Sequence, residues 1–303
     1  GDGEDAPALL RHADAAMFSV KSAGRDTYRF FSPEMNANSQ RLLTMDTHLR
    51  YALDAGELYP VYQPIVDTVT GHPVALETLL RWNNPELGFV GPDQFIPVAE
   101  NSGEIIRIGS WLIGQACHDL LKLKRQGFPH LRIAINISPK QFMRGTILND
   151  VRHALEHTGL KPEDLELEVT EGLLMIDTPE IIETLHALHD IGVGLSIDDF
   201  GTGYSSLSYL RRYPFDTLKI DKSFIDGIAE DSENAALVAG IISMSHAMGL
   251  KVICEGVETQ LEQAFLERHD GDYIQGYFFG KPDSLPNTVA TLRHLQSDDL
   301  LLE

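Results

Sequence analysis

The chain has 303 residues, 43% hydrophobic and 23% charged, ordinary values for a globular protein long enough to bury a full core without staples. Its 45 acidic and 24 basic residues leave a net charge of −21, which opposes binding to a nucleic-acid polymer and admits a phosphate substrate only where cations supply local positive charge. The two cysteines, Cys117 and Cys254, form no CxxC pair and exclude a disulfide framework; with no apolar run of membrane-spanning length and no leader pattern, the expected location is the cytoplasm, any membrane anchor lying in a missing upstream part.

Residues 1–35 read as the end of a preceding domain. Residues 8–23 have helical periodicity through Leu9, Leu10, Ala13, Ala16, Met17 and Val20, Gly24 is a plausible cap, and 27–31 read as a short strand. Residues 36–56 read as a connector, with an amphipathic helix over 39–55 whose apolar face is Leu42, Met45, Leu49, Ala52 and Leu53. From 57 to 303 strand and helix alternate. The strand-like runs are 59–66, 73–81, 131–138, 165–169, 194–197, 217–220, 251–253 and 273–274, and helical patterns cover 111–126, 147–158, 178–191, 205–212, 235–248 and 260–267. Eight strands with intervening helices predict an α/β, TIM-like (β/α)8 barrel, with an open doubly wound sheet as the alternative. The short turn over 67–72 predicts a hairpin, so that strand 1 runs antiparallel to the rest.

In such a barrel chemistry sits at the C-terminal ends of the strands. Strand 2 offers Glu77 and Arg81, strand 3 Asn136, strand 4 Glu168 and Glu171, strand 5 Asp198 and Asp199, strand 6 Lys219 and Asp221, strand 7 Glu255 and Glu258, and strand 8 Gln275. Residues two apart share a face, so Glu166 is expected beside Glu168 at the mouth. Each of these alone is ordinarily a helix cap or a solvated loop residue; their recurrence on successive strands is not. Convergence of Glu77, Glu168, Asp198, Asp199 and Glu255 would raise their pKa values unless protons or divalent cations intervene. Oxygen donors without His or Cys suit Mg²⁺, Mn²⁺ or Ca²⁺ rather than structural zinc. Adjacent aspartates with further carboxylates suit a pair of cations about 3.5–4 Å apart, an arrangement of phosphoryl chemistry. The run SIDDFGTGYSSL over 196–207 reads as a shaped loop, with Gly201 and Gly203 permitting unusual backbone angles and Tyr204, Ser205 and Ser206 able to cap the next helix. His153 and His157 lie mid-helix and read as surface residues, Cys254 as inert, and Trp82 and Trp111 as packing residues.

The segments YQPIVD from Tyr62, ETLLRW from Glu77, NISPKQF from Asn136, ELEVTE from Glu166, DDFGTGYSSLSYL from Asp198, LKIDKSFI from Leu218, CEGVET from Cys254 and DYIQGYFFGKP from Asp272 together resemble the EAL-domain phosphodiesterases, over roughly residues 40–285. The resemblance implies a metal-dependent hydrolase that opens cyclic di-GMP to linear pGpG, with two divalent cations, Mg²⁺ or Mn²⁺, as cofactors and Ca²⁺ inhibitory. It implies metal ligation by Glu77, Asn136, Glu168, Asp198 and Asp199, and activation of the attacking water by Lys219 and Glu255. Gln63, Leu80, Arg81, Asp221, Glu258 and Gln275 would surround the substrate, and Glu171 would hold the loop 199–206. A homodimer is also implied. The run ADAAMFSVKSAGRDTYRFF resembles the close of a GGDEF domain, which would place a GGDEF or sensor region upstream. Two departures are visible: Thr78 stands where the family motif has Ala, and Phe18 where the GGDEF pattern commonly has Tyr. The competing readings are a catalytically silent cyclic di-GMP receptor, which would show a gap in the metal set, and a glycosidase using Glu168 and Glu255, which leaves the other acids unexplained.

Overall fold

The alternation expected from residue 57 onward closes into a barrel. The computed structural model describes residues 30–176, 178–201, 210, 212–228 and 232–297, with scattered positions between 5 and 17. Most of the tail expected over 8–31, Gly203 to Ser206 and most of the helix expected over 205–212 lie outside the described residues.

Two compact units are present, residues 1–58 with 82–104 and residues 59–81 with 105–303. The first contains helix α1 (Pro33–Ala52), the end of strand β2 (Pro73–Asn84), strand β3 (Gly88–Val90) and helix α2 (Pro92–Ser102). Helix α1 starts earlier than the expected 39–55 because Pro33 opens it at N1, and it buries Met45, Leu49 and Ala52. The end of β2 pairs antiparallel with β3, Trp82 opposite Val90. The Glu57 carboxylate accepts from Trp82 Nε1 and Asn84 Nδ2, both at 2.9 Å, and the Trp82 ring meets Phe95 of α2 edge-on at 5.8 Å.

The second unit holds the barrel. Its strands are β1 (Leu58–Asp67), β2, β4 (Arg132–Asn136), β5 (Leu165–Thr170), β6 (Gly194–Phe200), β7 (Thr217–Ile220), β8 (Lys251–Glu255) and β9 (Tyr273–Gln275). They are hydrogen-bonded in the order β1-β9-β8-β7-β6-β5-β4-β2, and a β1–β2 pairing closes the ring. Strands β2 and β4 to β9 are mutually parallel, whereas β1 is antiparallel to β9, Ile65 facing Gln275. The reversed first strand thus follows from the hairpin, whose Asp67 N–H donates to the His72 carbonyl at 2.9 Å.

Helices α3 (Glu104–Arg125), α4 (Pro139–Arg144), α5 (Ile147–Thr158), α6 (Glu171–Leu174), α7 (Pro179–Asp190), α8 (Lys222–Ile225), α9 (Ser232–Ala247), α10 (Gln260–Arg268) and α11 (Leu285–Gln296) complete this unit. The outward side chains of the strands pack beneath them, with Ile133, Ile135, Leu167, Val169, Leu195, Ile197, Leu218, Ile220, Val252 and Cys254 all buried. A buried polar link between side chains crosses that layer. The Tyr62 hydroxyl of β1 donates to Asp119 Oδ2 of α3 at 2.7 Å, and Gln115 and Lys122 complete the carboxylate's partners at 2.8 Å each. Both cysteines are free and buried, and burial raises both thiols' pKa values.

The end of the barrel away from the mouth is tied by Asp272, just before β9. It accepts from Lys251 at 2.6 Å, His246 at 2.8 Å and the Val252 N–H at 3.0 Å. Burial alone would raise this carboxyl; the three donors outweigh it and hold it below its ordinary 3.8. A lowered folded-state pKa stabilises the protein above the unfolded value, and that stability is lost as pH falls through the folded value. Asp272→Asn should therefore cost about 2 kcal/mol at pH 7, with the gap to wild type closing below pH 3.8, as read by urea unfolding across a pH series.

Candidate active site

Alternation along the strands turns Glu77, Asn136, Glu168, Asp198, Lys219, Glu255 and Gln275 into the barrel, where register brings them to one level. Glu77 lies beside Ala134, Asn136 beside Glu168, and Glu255 beside Gln275. Glu77 is not at a strand end as expected, because β2 continues to Asn84; it pairs with Ala134, two residues before the end of β4, and its carboxylate still reaches Asn136.

The centre of this tier is the Lys219 ammonium, 0% exposed. Its Nζ is 2.6 Å from Glu255 Oε1, 2.9 Å from Glu168 Oε2, 3.3 Å from Asp198 Oδ1 and 3.8 Å from Glu77 Oε1. Burial would lower the lysine's pKa, but the four carboxylates outweigh it and hold the group charged well above its ordinary range. One cation is too little for four acids. Desolvation, then the neighbouring Glu77 and Asp198 charges, raises the Glu168 carboxyl well above its usual value despite Lys219. Desolvation likewise pushes Glu255 up to about 7, only partly offset by Lys219. Asp199 is also raised, by burial first and then by Asp198 and Asp221.

Amides frame the acids. Asn136 Nδ2 donates to Glu77 Oε1 at 2.7 Å, and Gln275 Nε2 donates to Glu77 Oε2 and, at 3.1 Å, to Gln63 Oε1. At the end of β6 the register with β7 shifts between Ile197 and Phe200, and Asp199 is held at φ +57, a region unusual for a residue with a side chain. That irregularity turns Asp199 away from strict alternation and puts two successive aspartates beside the mouth. Glu171 Oε1 accepts from the Gly201 N–H at 2.9 Å, so the first turn after β5 holds the start of the glycine-rich loop. The β8–α10 loop is held by a capping box: Thr259 caps α10, while Glu262 accepts from the N–H groups of Glu258 and Thr259. Gly276 lies under that loop so closely that a Cβ there would fall 1.9 Å from the Val257 carbonyl oxygen.

A cavity of about 290 Å³ opens over the tier. Gln63, Glu77, Asp198, Glu255, Glu258 and Gln275 face it, with Leu79 and Tyr277 as apolar walls and Lys222 at the rim. Several sequence expectations change here. Leu80 is 7% exposed and shares the parity of Thr78, so it points away from the cavity; Leu79, on the face of Glu77, lines it instead. Parity from Glu77 would have distinguished the two. Arg81 has the right parity but is not among the lining residues, and its Nη1 donates to the Leu80 carbonyl at 2.9 Å. Asp221 caps α8 through Ser223 N at 3.0 Å. Glu166 is not at the mouth: it occupies the tier below, 3.4 Å from Arg132, whose guanidinium lies 5.8 Å from the Tyr273 ring centre. Ile65, Ala75 and Ile253 form an apolar cluster beside that ion pair in the lower tier.

The donor set fits divalent cations that take oxygen ligands. Glu168 Oε1 is buried with no hydrogen-bond partner among the described residues, and the carboxylates outnumber the one central ammonium. Among the described residues no three acids are gathered into a ready ligand shell, because Lys219 stands in their midst.

A TIM-like barrel with reversed first strand and an acidic, oxygen-donor mouth defines the class. The chain belongs to the EAL domain family, whose model matches residues 46–282. It is 43% identical over 292 residues to the bifunctional diguanylate cyclase/cyclic di-GMP phosphodiesterase MucR of Pseudomonas aeruginosa, a match covering 96% of this chain and 43% of that protein. It is 42% identical over 297 residues to the cyclic di-GMP phosphodiesterase NbdA of the same organism, covering 98% and 38%. The chain therefore spans about two fifths of these curated relatives. Among solved structures, the PaMucR phosphodiesterase in complex with c-di-GMP superposes with a TM-score of 0.77 at 41% identity, covering 81% of this chain and 99% of that one. The EAL enzyme Bd1971 with cAMP and cyclic di-GMP bound gives 0.81 at 32% identity, covering 96% and 76%.

Two predictions follow from this geometry. Lys219→Met leaves four carboxylates in the barrel without their cation, and should cost about 3–5 kcal/mol in urea unfolding with EDTA, narrowing when Mg²⁺ is added. Thr78 faces outward, is 1% exposed and has a hydroxyl without a partner among the described residues. Thr78→Ala should therefore leave stability unchanged or raise it by up to about 1 kcal/mol in the same assay.

Proposed function

We propose that this chain hydrolyses one phosphodiester bond of cyclic di-GMP, releasing linear pGpG, with two divalent cations, Mg²⁺ or Mn²⁺, as cofactors. The observation that carries this reading is the shortage of positive charge at the mouth, where one ammonium serves four carboxylates, three of them buried, and desolvation raises Glu168 and Glu255. The relatives named as cyclic di-GMP phosphodiesterases, and the similar phosphodiesterase complexed with that nucleotide, support the substrate.

Glu77, Asn136, Glu168 and Asp198 would hold one cation, and Asp198 with Asp199 the other. When bound, the cations supply the positive charge that acidifies water and offsets charge building on the phosphoryl oxygens. Glu255, pushed up to about 7, is suited to accept the proton of the attacking water near neutral pH. Lys219, 2.6 Å from Glu255, holds that carboxylate in place and can donate to the same water. Water oxygen bonds to phosphorus as the bond to the ribose 3′ oxygen breaks, and the departing oxygen takes a proton. Gln63, Glu258 and Gln275 face the cavity that would receive the nucleotide, Arg81 would reach a phosphate, and Asp221 would stand at its rim. Glu171 would keep the loop at Gly201 in register with the aspartates.

For the larger assembly we propose that residues 1–35 close a GGDEF-like domain belonging to an upstream region, that 36–56 connect it to the EAL domain, and that the protein works as a cytoplasmic homodimer. No helix among the described residues is long and apolar enough to cross a membrane.

Incubation with cyclic di-GMP and Mg²⁺ or Mn²⁺, followed by chromatography, should show pGpG that disappears with EDTA. Glu77→Ala should lower turnover by more than the ~10–100-fold typical of an outer-shell partner. Tight binding of cyclic di-GMP without cleavage would identify a receptor instead; metal-independent cleavage would overturn the cation assignment.

A further inference from the structure

Four acids, Glu77, Asp198, Glu255 and Glu258, line the cavity over the site, yet the proposed substrate carries two phosphodiesters. Cations at the inner tier would balance one of them. Lys219 cannot serve the other, being fully buried and committed to four carboxylates. Lys222 is the one cation among the described residues lining the cavity, where it shares the wall with Glu255, Gly256, Glu258 and Tyr277.

Its placement is built rather than incidental. Lys222 opens α8 directly after the Asp221 cap, so its backbone is fixed by the helix start. Its stem crosses Gly256 of the β8–α10 loop: a Cβ on Gly256 would fall 2.3 Å from Lys222 Cβ and 3.1 Å from its Cα. Any side chain at 256 would push the lysine off the loop that follows Glu255, and Gly256 also sits at φ +77, where a side chain is strained. The ammonium end remains exposed, and no ion pair to it is found among the described residues. In the closed ring order, β7 and β2 are four strands apart in either direction, so Lys222, just after β7, and Arg81 of β2 stand on opposite sides of the mouth.

Resting on the reading above, we propose that the Lys222 ammonium binds a non-bridging oxygen of the substrate phosphate that is not cut. The metal-binding acids Glu77, Glu168 and Asp198 belong to β2, β5 and β6 and would draw the reacting phosphate toward that side. A cyclic dinucleotide carries its second phosphate across the ring, toward β7 and β8. That phosphate does not change during the reaction, so its contact contributes equally to ground state and transition state; its loss should raise KM and leave kcat alone.

The test is steady-state kinetics of wild type, Lys222→Met and Lys222→Arg on cyclic di-GMP and on bis(p-nitrophenyl) phosphate, a diester with one phosphate. Lys222→Met should raise KM for cyclic di-GMP about tenfold with kcat within about twofold, Lys222→Arg should restore it, and the single-phosphate diester should not distinguish the three. Unchanged KM, or equal losses of kcat on both diesters, would overturn the assignment. Failure of the wild type to cleave cyclic di-GMP would overturn the function itself. In that case calorimetric binding of the intact nucleotide in Ca²⁺ still decides Lys222: about tenfold weaker binding for Lys222→Met supports it, and equal binding rejects it.

Discussion

A lysine ammonium shielded from bulk solvent keeps its charge only where negative charge surrounds it, and in this chain the surrounding carboxylates come from four different strands. Lys219 on β7 meets Glu255 on β8, Asp198 on β6, Glu168 on β5 and Glu77 on β2. The contacts with Glu255 and Asp198 join neighbouring strands, but those with Glu168 and Glu77 reach across two and four strands and need the sheet curled into a barrel in register. The same arrangement is electrostatically unfinished, because one positive charge cannot neutralise four acids. The raised pKa values of Glu168 and Glu255 express that deficit, and it is the physical reason the mouth is suited to divalent cations.

Below this tier the lumen changes character. Ile65, Ala75 and Ile253 fill it, and the Arg132–Glu166 pair lies in the same lower layer. Exclusion of water from this floor lowers the local dielectric beneath the acids, which strengthens both their repulsion and their attraction to Lys219. The loops above are held by local hydrogen bonding: Glu171 at Gly201, Asp221 at Ser223, and Glu262 at Glu258 and Thr259. The barrel sets the depth of each functional group, and the caps set the direction of each loop.

Charge also organises the approach of a substrate. A chain of net charge −21 repels an anion at long range, and four carboxylates face the cavity. Recognition of a dianionic nucleotide must therefore come from cations at short range. In the proposed reading, divalent ions in the inner tier and Lys222 at the rim would divide that task between the reacting and the spectator phosphate.

The barrel class, its reversed first strand and the inward carboxylates were legible in the sequence, since two-residue alternation, a tight turn at Gly71 and polar residues at the ends of apolar runs are local signals. Other features depended on partners distant in the chain. Strand β3 and helix α2 went unread, the helix because Pro97 lies inside it and its buried face, Phe95, Val98 and Ala99, is short. Glu166 and Glu168 share a face, but only the stagger between strands places one beside Arg132 and the other beside Lys219. The choice of Leu79 over Leu80 was present in the parity from Glu77, whereas the placement of Lys222 at the cavity was not, because an exposed lysine carries no periodic signal and its position depends on Gly256, contributed by another strand's loop. The sequence by itself determined which residues could face inward, through the pleat of each strand. Tertiary structure alone decided which of them meet, because depth and distance in a barrel are set by the stagger of strands that the chain does not join directly.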